Sequence, residues 1–483
     1  MGTSHSTVLE FRKPRASPPR GGPAARAARA ILTSLFGPPG ERDFAVRLWD
    51  GTVDRPGTAG KPRFTLVFNH PAALRRMLLP PSETRAARAY LRGDIDVEGD
   101  LERATALADR LASRLGSPGA CARLLARLLA LPRTAEPREG AGARHFAARR
   151  ARLHAPKTDR AAVRFHYDVG NDFYRLWLDR RMVYSCGYFP TGAEDIDAAQ
   201  EAKLDHICRK LRLAPGERFL DIGCGWGALV MHAAERYGVN ALGITLSRQQ
   251  AAYAGKAIAA AGLAGRCRVA VCDYRELASG GPTAEPLSAE PVSTEPLAGA
   301  FDKVASVGMF EHVGRRMLPT YFAEAFRLTR PGGLFLNHGI VQLAPRGARP
   351  MVHGAARLLW HPGRFIERYV FPGGELVPAA LAVHCGEEAG FELRDGESLR
   401  EHYALTLRQW VRRLEAHAAE ARELVGEPTY RVWKLYMAGS ARAFAAARIG
   451  LVQLLFAKPD GQGGCPLPLN RSDLYRDSPR LVH

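Results

Sequence analysis

The 483-residue sequence predicts an α/β fold with a mostly parallel sheet, preceded by a smaller α+β region. Three observations carry this. Strand-like and helix-like segments alternate between residues 218 and 340. A glycine-rich turn joins the first of those strands to the first helix. Residues 41–131 hold a short strand and helices of their own.

In the alternating region, Arg218–Ile222 is a short apolar strand that ends in glycines. Trp226–Tyr237 is helical, Val239–Leu246 is a strand, and Ser247–Ala261 is a helix that Ser247 can cap. Arg268–Val271, Lys303–Val307 and Gly333–Ile340 are further strands, with a helix at Leu318–Leu328. Arg408–Val425 and Tyr430–Arg448 are helical, and Leu451–Phe456 is the last strand. Upstream, Phe64–Phe68 alternates as a strand and Pro71–Leu79 is a short helix closed by Pro80-Pro81. Ala86–Leu91, the segment Gly93–Gly99 and a helical pattern from Leu101 follow.

These readings divide the chain. Residues 1–40 are a flexible basic tail with a short helix near Ala24–Phe36, 41–131 a small domain, 132–155 a linker, 156–460 the catalytic domain, and 461–483 a second tail. Residues 279–299 carry a Pro-rich five-residue repeat, Thr283-Ala-Glu-Pro-Leu287 being echoed twice. That repeat is a solvent loop with no catalytic role.

Lys+Arg 68 against Asp+Glu 49 gives a net charge of +19. Residues 102–165 concentrate it, with 14 Lys/Arg against 5 Asp/Glu. Such a stretch suits an anionic partner, either a membrane surface or nucleic acid. Neither stacking aromatics, zinc-finger spacing nor basic-zipper heptads accompany it, so no nucleic acid is expected. The 8 cysteines are scattered without a CxxC pair, which predicts no metal site and a reducing cytoplasm. Neither a signal-peptide core nor a run of ~18 apolar residues is found. The expected location is cytoplasmic, peripheral at the inner face of an anionic membrane.

Phe219-Leu-Asp221-Ile-Gly223-Cys-Gly225-Trp-Gly227 forms the turn. Glycines there let the backbone turn sharply and approach a ligand. An acid two residues before the first glycine, Asp221, suits S-adenosylmethionine, whose amino group it can reach. The second strand lacks the acid that often holds the ribose hydroxyls. The hydroxyl of Thr245 and the amide of Gln250 are substitutes that add no negative charge.

Several motifs in order resemble one family. They are His166-Tyr-Asp-Val-Gly-Asn-Asp-Phe-Tyr174, Met182-Val-Tyr-Ser-Cys-Gly-Tyr-Phe189, the glycine turn, and Gly243-Ile-Thr-Leu-Ser247. Cys272-Asp-Tyr-Arg275, Ser306-Val-Gly-Met-Phe-Glu-His-Val-Gly314, Phe365–Gly374 and His402-Tyr-Ala-Leu-Thr-Leu407 continue the match. The chain resembles the cyclopropane-fatty-acyl-phospholipid synthases and the related mycolic-acid cyclopropane and methyl-branching enzymes. The resemblance implies a class I S-adenosylmethionine methyltransferase, Rossmann-like, with a small N-terminal α+β lipid-binding domain at 41–131. Because the mycolic-acid branch lacks that domain, unsaturated phospholipid in a membrane is the implied substrate. A homodimer is implied as well.

The resemblance also implies site residues. The cofactor would meet Tyr184, Ser185, Asp221, Gly223, Gly225, Gly227, Thr245, Leu246, Gln250, Tyr274 and Arg275. A bound bicarbonate would act as base, held by Cys186, Glu311, His338, the backbone of Ile340, and Tyr403. Tyr184, Tyr188, Phe189, Phe310, Tyr369, Phe371 and Tyr403 are candidates to face a carbocation. Relatives often carry a cysteine where Ser440 stands, and no covalent role is expected of it. Asn337 and Gly339 flank His338 and are expected to enlarge the pocket, which leaves a methyl or methylene branch as the alternative product.

Overall fold

The computed structural model describes residues 21–57, 61–114, 118–133, 166, 169–277, 297–344, 363–465 and 467–475. The repeat of 283–297 except its last residue, most of the expected linker, and positions 167 and 168 lie outside the described residues. The chain divides into two compact units, one of residues 1–140 with 349–364 and a larger one of 141–348 with 365–483.

The N-terminal unit contains a four-stranded sheet. Its strands are β1 (Ala45–Arg47), β2 (Val53–Asp54), β3 (Phe64–Phe68) and β4 (Ile95–Gly99), in the order β2-β1-β3-β4. Ser82 caps the helix Glu83–Leu91 by accepting from the Arg85 N–H, and Asp100 caps Leu101–Thr105 through Arg103. The tail expected over 1–40 needs correction. Pro23–Phe36 is a helix whose Ala28, Ile31, Leu32 and Leu35 form one buried stripe. Asp50 accepts from the Gly21 N–H at 2.9 Å, and Arg29 pairs with Asp54. The helix expected near Ala24–Phe36 is thus present, but as a packed amphipathic element and not as part of a flexible tail.

The larger unit is built on a seven-stranded sheet in the order β10-β11-β9-β8-β5-β6-β7. The strands are β5 (Arg218–Ile222), β6 (Asn240–Thr245), β7 (Cys267–Val271), β8 (Phe301–Val307), β9 (Thr329–Gln342), β10 (Glu392–Ser398) and β11 (Ile449–Ala457). Strands β5 to β9 pair in parallel, while β11 runs antiparallel between β9 and β10. Leu220 and Ile222 pack into the core on one face of the sheet, Phe219 on the other. β5 has β6 on one side and β8 on the other, so the strand order reverses there. A crevice opens at the carboxyl ends of strands at such a reversal, and the glycine turn leaves β5 into it.

Other expectations shift. The helix after the turn starts at Ala228 because Gly225 and Gly227 take positive φ, +55° and +87°. β10 was not anticipated, since its Glu-Leu-Arg-Asp-Gly-Glu-Ser sequence is that of a polar edge strand. The helix expected over Arg408–Val425 runs instead over Arg400–Ala416 and breaks at His417. The next, Ala418–Ala445, is interrupted at Gly426 (φ +78°), two residues before Pro428.

Candidate active site

One cavity lies over the ends of β5 and β6. Its wall includes Tyr184, Ser185, Asp221, Gly223, Gly225, Thr245, Leu246, Gln250, Tyr274 and Arg275, so all but one of the expected cofactor residues meet there. The exception is Gly227. A Cβ on Gly227 would stand 3.0 Å from the Ala254 Cβ, so this glycine serves helix packing and not the cavity. The N–H groups of Gly223 and Cys224 both donate to the Ile244 carbonyl at 2.9 Å, which ties the turn to β6. A side chain on Gly225 would meet no protein atom within 4 Å, so that position faces open space.

The polar atoms of this cavity are arranged toward a guest. Asp221 is buried, and its Oδ1 has no hydrogen-bond partner. Burial pushes its carboxyl up to about 7, against the pull of Lys203. The Thr245 hydroxyl donates to Gln250 Oε1 at 2.8 Å, and Gln250 Nε2 has no partner. Thr245 thus orients Gln250, which presents an amide donor. Arg275 grips Asp273 through Nε at 2.9 Å and Nη2 at 2.6 Å, with its guanidinium over the Tyr274 ring. Sequence reasoning missed Asp273, Lys203 and Trp226 as wall residues. The Trp226 indole donates to Asn171 at 2.9 Å, which gives the Val-Gly-Asn-Asp motif its purpose.

The five expected catalytic residues lie off this wall, Cys186 and Glu311 next in sequence to its residues Ser185 and His312. Glu311 sits in the turn Phe310–His312 after β8. Its Oε1 accepts from the Ile340 N–H at 2.6 Å, while Oε2 is buried without a partner. Burial pushes its carboxyl up to about 7, opposed by that N–H. His338 on β9 faces Gln453 on β11, with Nδ1 3.1 Å from the amide Nε2. Its Nε2 has no partner, and burial holds its pKa well below the usual value, so the ring is neutral. The Gly308 N–H on the cavity wall donates to the His338 carbonyl at 2.9 Å.

Cys186 and Tyr403 form a second group. Cys186 Sγ lies 3.2 Å from the Gly187 carbonyl and 3.8 Å from that of Leu399, which also accepts from the Tyr403 N–H at 3.1 Å. Burial raises the Cys186 thiol far above its ordinary value, so it remains a thiol. The Ile340 N–H is engaged by Glu311. One expectation is corrected. Asn337 accepts from the Tyr321 hydroxyl at 2.7 Å, and a Cβ on Gly339 would come within 2.7 Å of the Phe310 ring, so neither enlarges the pocket.

The aromatic candidates also separate. Tyr184 joins a cluster with His166, Tyr174, Trp177, Trp410 and Trp433, with ring centroids 5.4–6.2 Å apart. Phe371 stacks on His166 at 4.1 Å and meets Tyr436 at 5.6 Å. Tyr188 lies between His206 and His402, Tyr369 packs on Phe365, and Tyr403 packs on Phe444. The three tryptophans come from distant segments with no common motif, so the sequence offered no signal for them.

A family model described as mycolic acid cyclopropane synthetase matches residues 154–454. The chain belongs to that family. A second model, of a domain of unknown function, matches residues 31–114. A probable fatty acid methyltransferase of Pseudomonas putida is 39% identical over 431 residues, 89% of this chain and 96% of its own. A probable fatty acid methyltransferase of Mycobacterium tuberculosis is 35% identical over 458 residues, 92% and 98% of the two chains. Cyclopropane mycolic acid synthase 1 of M. tuberculosis is 35% identical, but over 61% of this chain and 94% of its own. Among solved structures, mycolic acid cyclopropane synthase CmaA1 complexed with SAH and CTAB matches 62% of this chain and 98% of its own, at 35% identity and TM-score 0.53.

The protein is therefore a S-adenosylmethionine-dependent methyltransferase of the class I fold. Its own residues fit that cofactor: the unpartnered oxygen of Asp221 suits an ammonium, the Gln250 amide suits a ribose hydroxyl, and Gly225 leaves room for the ligand.

Proposed function

We propose that this family member alkylates the cis double bond of unsaturated phospholipid acyl chains and closes a cyclopropane ring. The carrying observation is that the ring cluster of His166, Tyr174, Trp177, Trp410 and Trp433 meets the cofactor cavity at Tyr184. An alkene is a weak nucleophile, so holding it in line with the donor supplies much of the rate. The cation that develops on the acyl chain is stabilised by π faces. The relatives that match along nearly the whole chain are named as fatty acid methyltransferases, which supports a fatty-acyl substrate.

S-adenosylmethionine supplies the electrophilic methyl, and a bound bicarbonate supplies the base that takes a proton from it after transfer. Glu311 Oε2 and His338 Nε2 are both buried and unpartnered, and in this reading each offers an atom to such an anion. Neutral His338 donates from Nε2, and Glu311 meets the hydroxyl of the anion. Cys186 and Tyr403 complete the holding set in this reading. Among the described residues no helix is long and apolar enough to cross a membrane; in this reading the net charge of +19 draws the protein to an anionic lipid surface.

Proton NMR of lipid from a host expressing the protein tests the product. Upfield ring-methylene signals are expected. Vinyl signals would replace ring closure by methylene branching, and neither signal would remove the lipid substrate.

A further inference from the structure

Lys203 is the unexplained charge of the cofactor cavity. It lies on the helix Ile196–Leu211, is 2% exposed, and lines the cavity with Asp221. Its ammonium carries three donors, yet its hydrogen bond is to a neutral partner, the Ser185 hydroxyl at 2.9 Å. Among the described residues no carboxylate lies within ion-pair distance of it. Asp179, the acid that acts on it most strongly, is already held by the N–H groups of Arg181 at 2.9 Å and Val183 at 2.7 Å. Arg275, also on the wall, is committed to Asp273. A buried cation without an anion is costly, and a site keeps one when the anion arrives with the ligand.

We infer that Lys203 is the counter-charge for the α-carboxylate of the cofactor's methionyl group. Asp221 and Lys203 then read the two charges of that zwitterion, the amino group by the acid and the carboxylate by the ammonium. The other candidate anion is assigned to His338 and Cys186 among others, which feel the Lys203 charge but do not line this cavity. The inference rests on the cavity being the S-adenosylmethionine site.

Calorimetry with S-adenosylhomocysteine and with 5′-methylthioadenosine, which lacks the amino-acid portion, tests it. Lys203→Met should weaken S-adenosylhomocysteine roughly 10- to 100-fold and leave 5′-methylthioadenosine unchanged. Lys203→Arg should recover part of the loss. Equal loss for both ligands would reduce Lys203 to a structural prop, and no loss for either would overturn the assignment outright. Should Lys203→Met fail to fold, the wild-type protein decides. It should bind S-adenosylmethionine at least about tenfold more tightly than its decarboxylated analogue, and equal affinity overturns the inference. Failure of the wild type to bind any of these ligands would sink the cofactor reading itself.

Discussion

In the cofactor cavity, Asp221, Gly223, Gly225, Thr245 and Gln250 come from two adjacent strands and the turns that leave them. Off that wall, Glu311 in the turn after β8 bonds to Ile340 of β9, and His338 of β9 bonds to Gln453 of β11. The first set keeps its polar atoms open toward a ligand: Asp221 Oδ1 and Gln250 Nε2 have no protein partner. The second set is half committed to itself, with Glu311 bonded to Ile340 and His338 to Gln453. The contrast suggests a division of labour. Damage to the first should remove binding, and damage to the second should remove chemistry.

The largest expected effect breaks the first side. Gly225→Val should abolish S-adenosylhomocysteine binding measured by calorimetry, a loss above ~100-fold. Its side chain enters open space where the ligand lies, and a φ of +55° costs a branched residue a further ~1–2 kcal/mol. Glu311→Gln should do the reverse. Turnover falls about 100-fold or more, while the affinity for S-adenosylhomocysteine stays within about twofold. A Glu311→Gln protein with full turnover would remove Glu311 from the chemistry, and one that loses the ligand would merge the two regions into one.

A smaller effect sharpens the second side. Gln453 Nε2 donates to His338 Nδ1, which places the ring proton on Nε2, the nitrogen left to donate. Gln453→Leu frees both tautomers, so kcat should fall on the order of tenfold with ligand affinity unchanged. Gln453→Glu, whose carboxylate accepts a hydrogen bond from Nδ1–H, should favour the other tautomer and be worse than Leu. Wild-type turnover in both variants would mean that Gln453 only fills space between β9 and β11.

The same contrast explains what was legible. The glycine turn, the capping Ser247 and the buried β5 are local signals, each contained within a few residues, and their placement follows from strand-turn-helix geometry. The helix Pro23–Phe36 was legible but its burial was not, because an Arg-rich alanine helix has the composition of a tail. Lys203 and Gln453 were missed for another reason. Each lies in a regular element at an ordinary spacing, and only the packing of the helix Ile196–Leu211 and of β11 against the site makes them exceptional. The commitment of Ile340 to Glu311 is likewise a tertiary fact, set by the turn after β8 reaching β9. No periodicity encodes it.

The weakest effect concerns pH and separates the two buried acids. Glu311 and Asp221 both have folded pKa values near about 7, raised by burial from 4.5 and 3.8. The folded state therefore holds more protons than the unfolded chain between those limits, and stability falls as pH rises through about 7. His166, lowered to about 3 by burial, acts in the opposite sense, but only below its unfolded value of 6.5. Lys203, lowered to about 8 by burial, opposes the acids only toward the alkaline end, so the carboxylates dominate between pH 6.5 and about 7.5. The melting temperature of ligand-free protein should drop across that window by an amount on the order of a degree or two. Glu311→Gln should remove part of the slope. S-adenosylhomocysteine should remove the part due to Asp221, because its amino group favours the ionised acid. A slope unchanged by Glu311→Gln would mean that burial does not raise the Glu311 carboxyl in the folded protein.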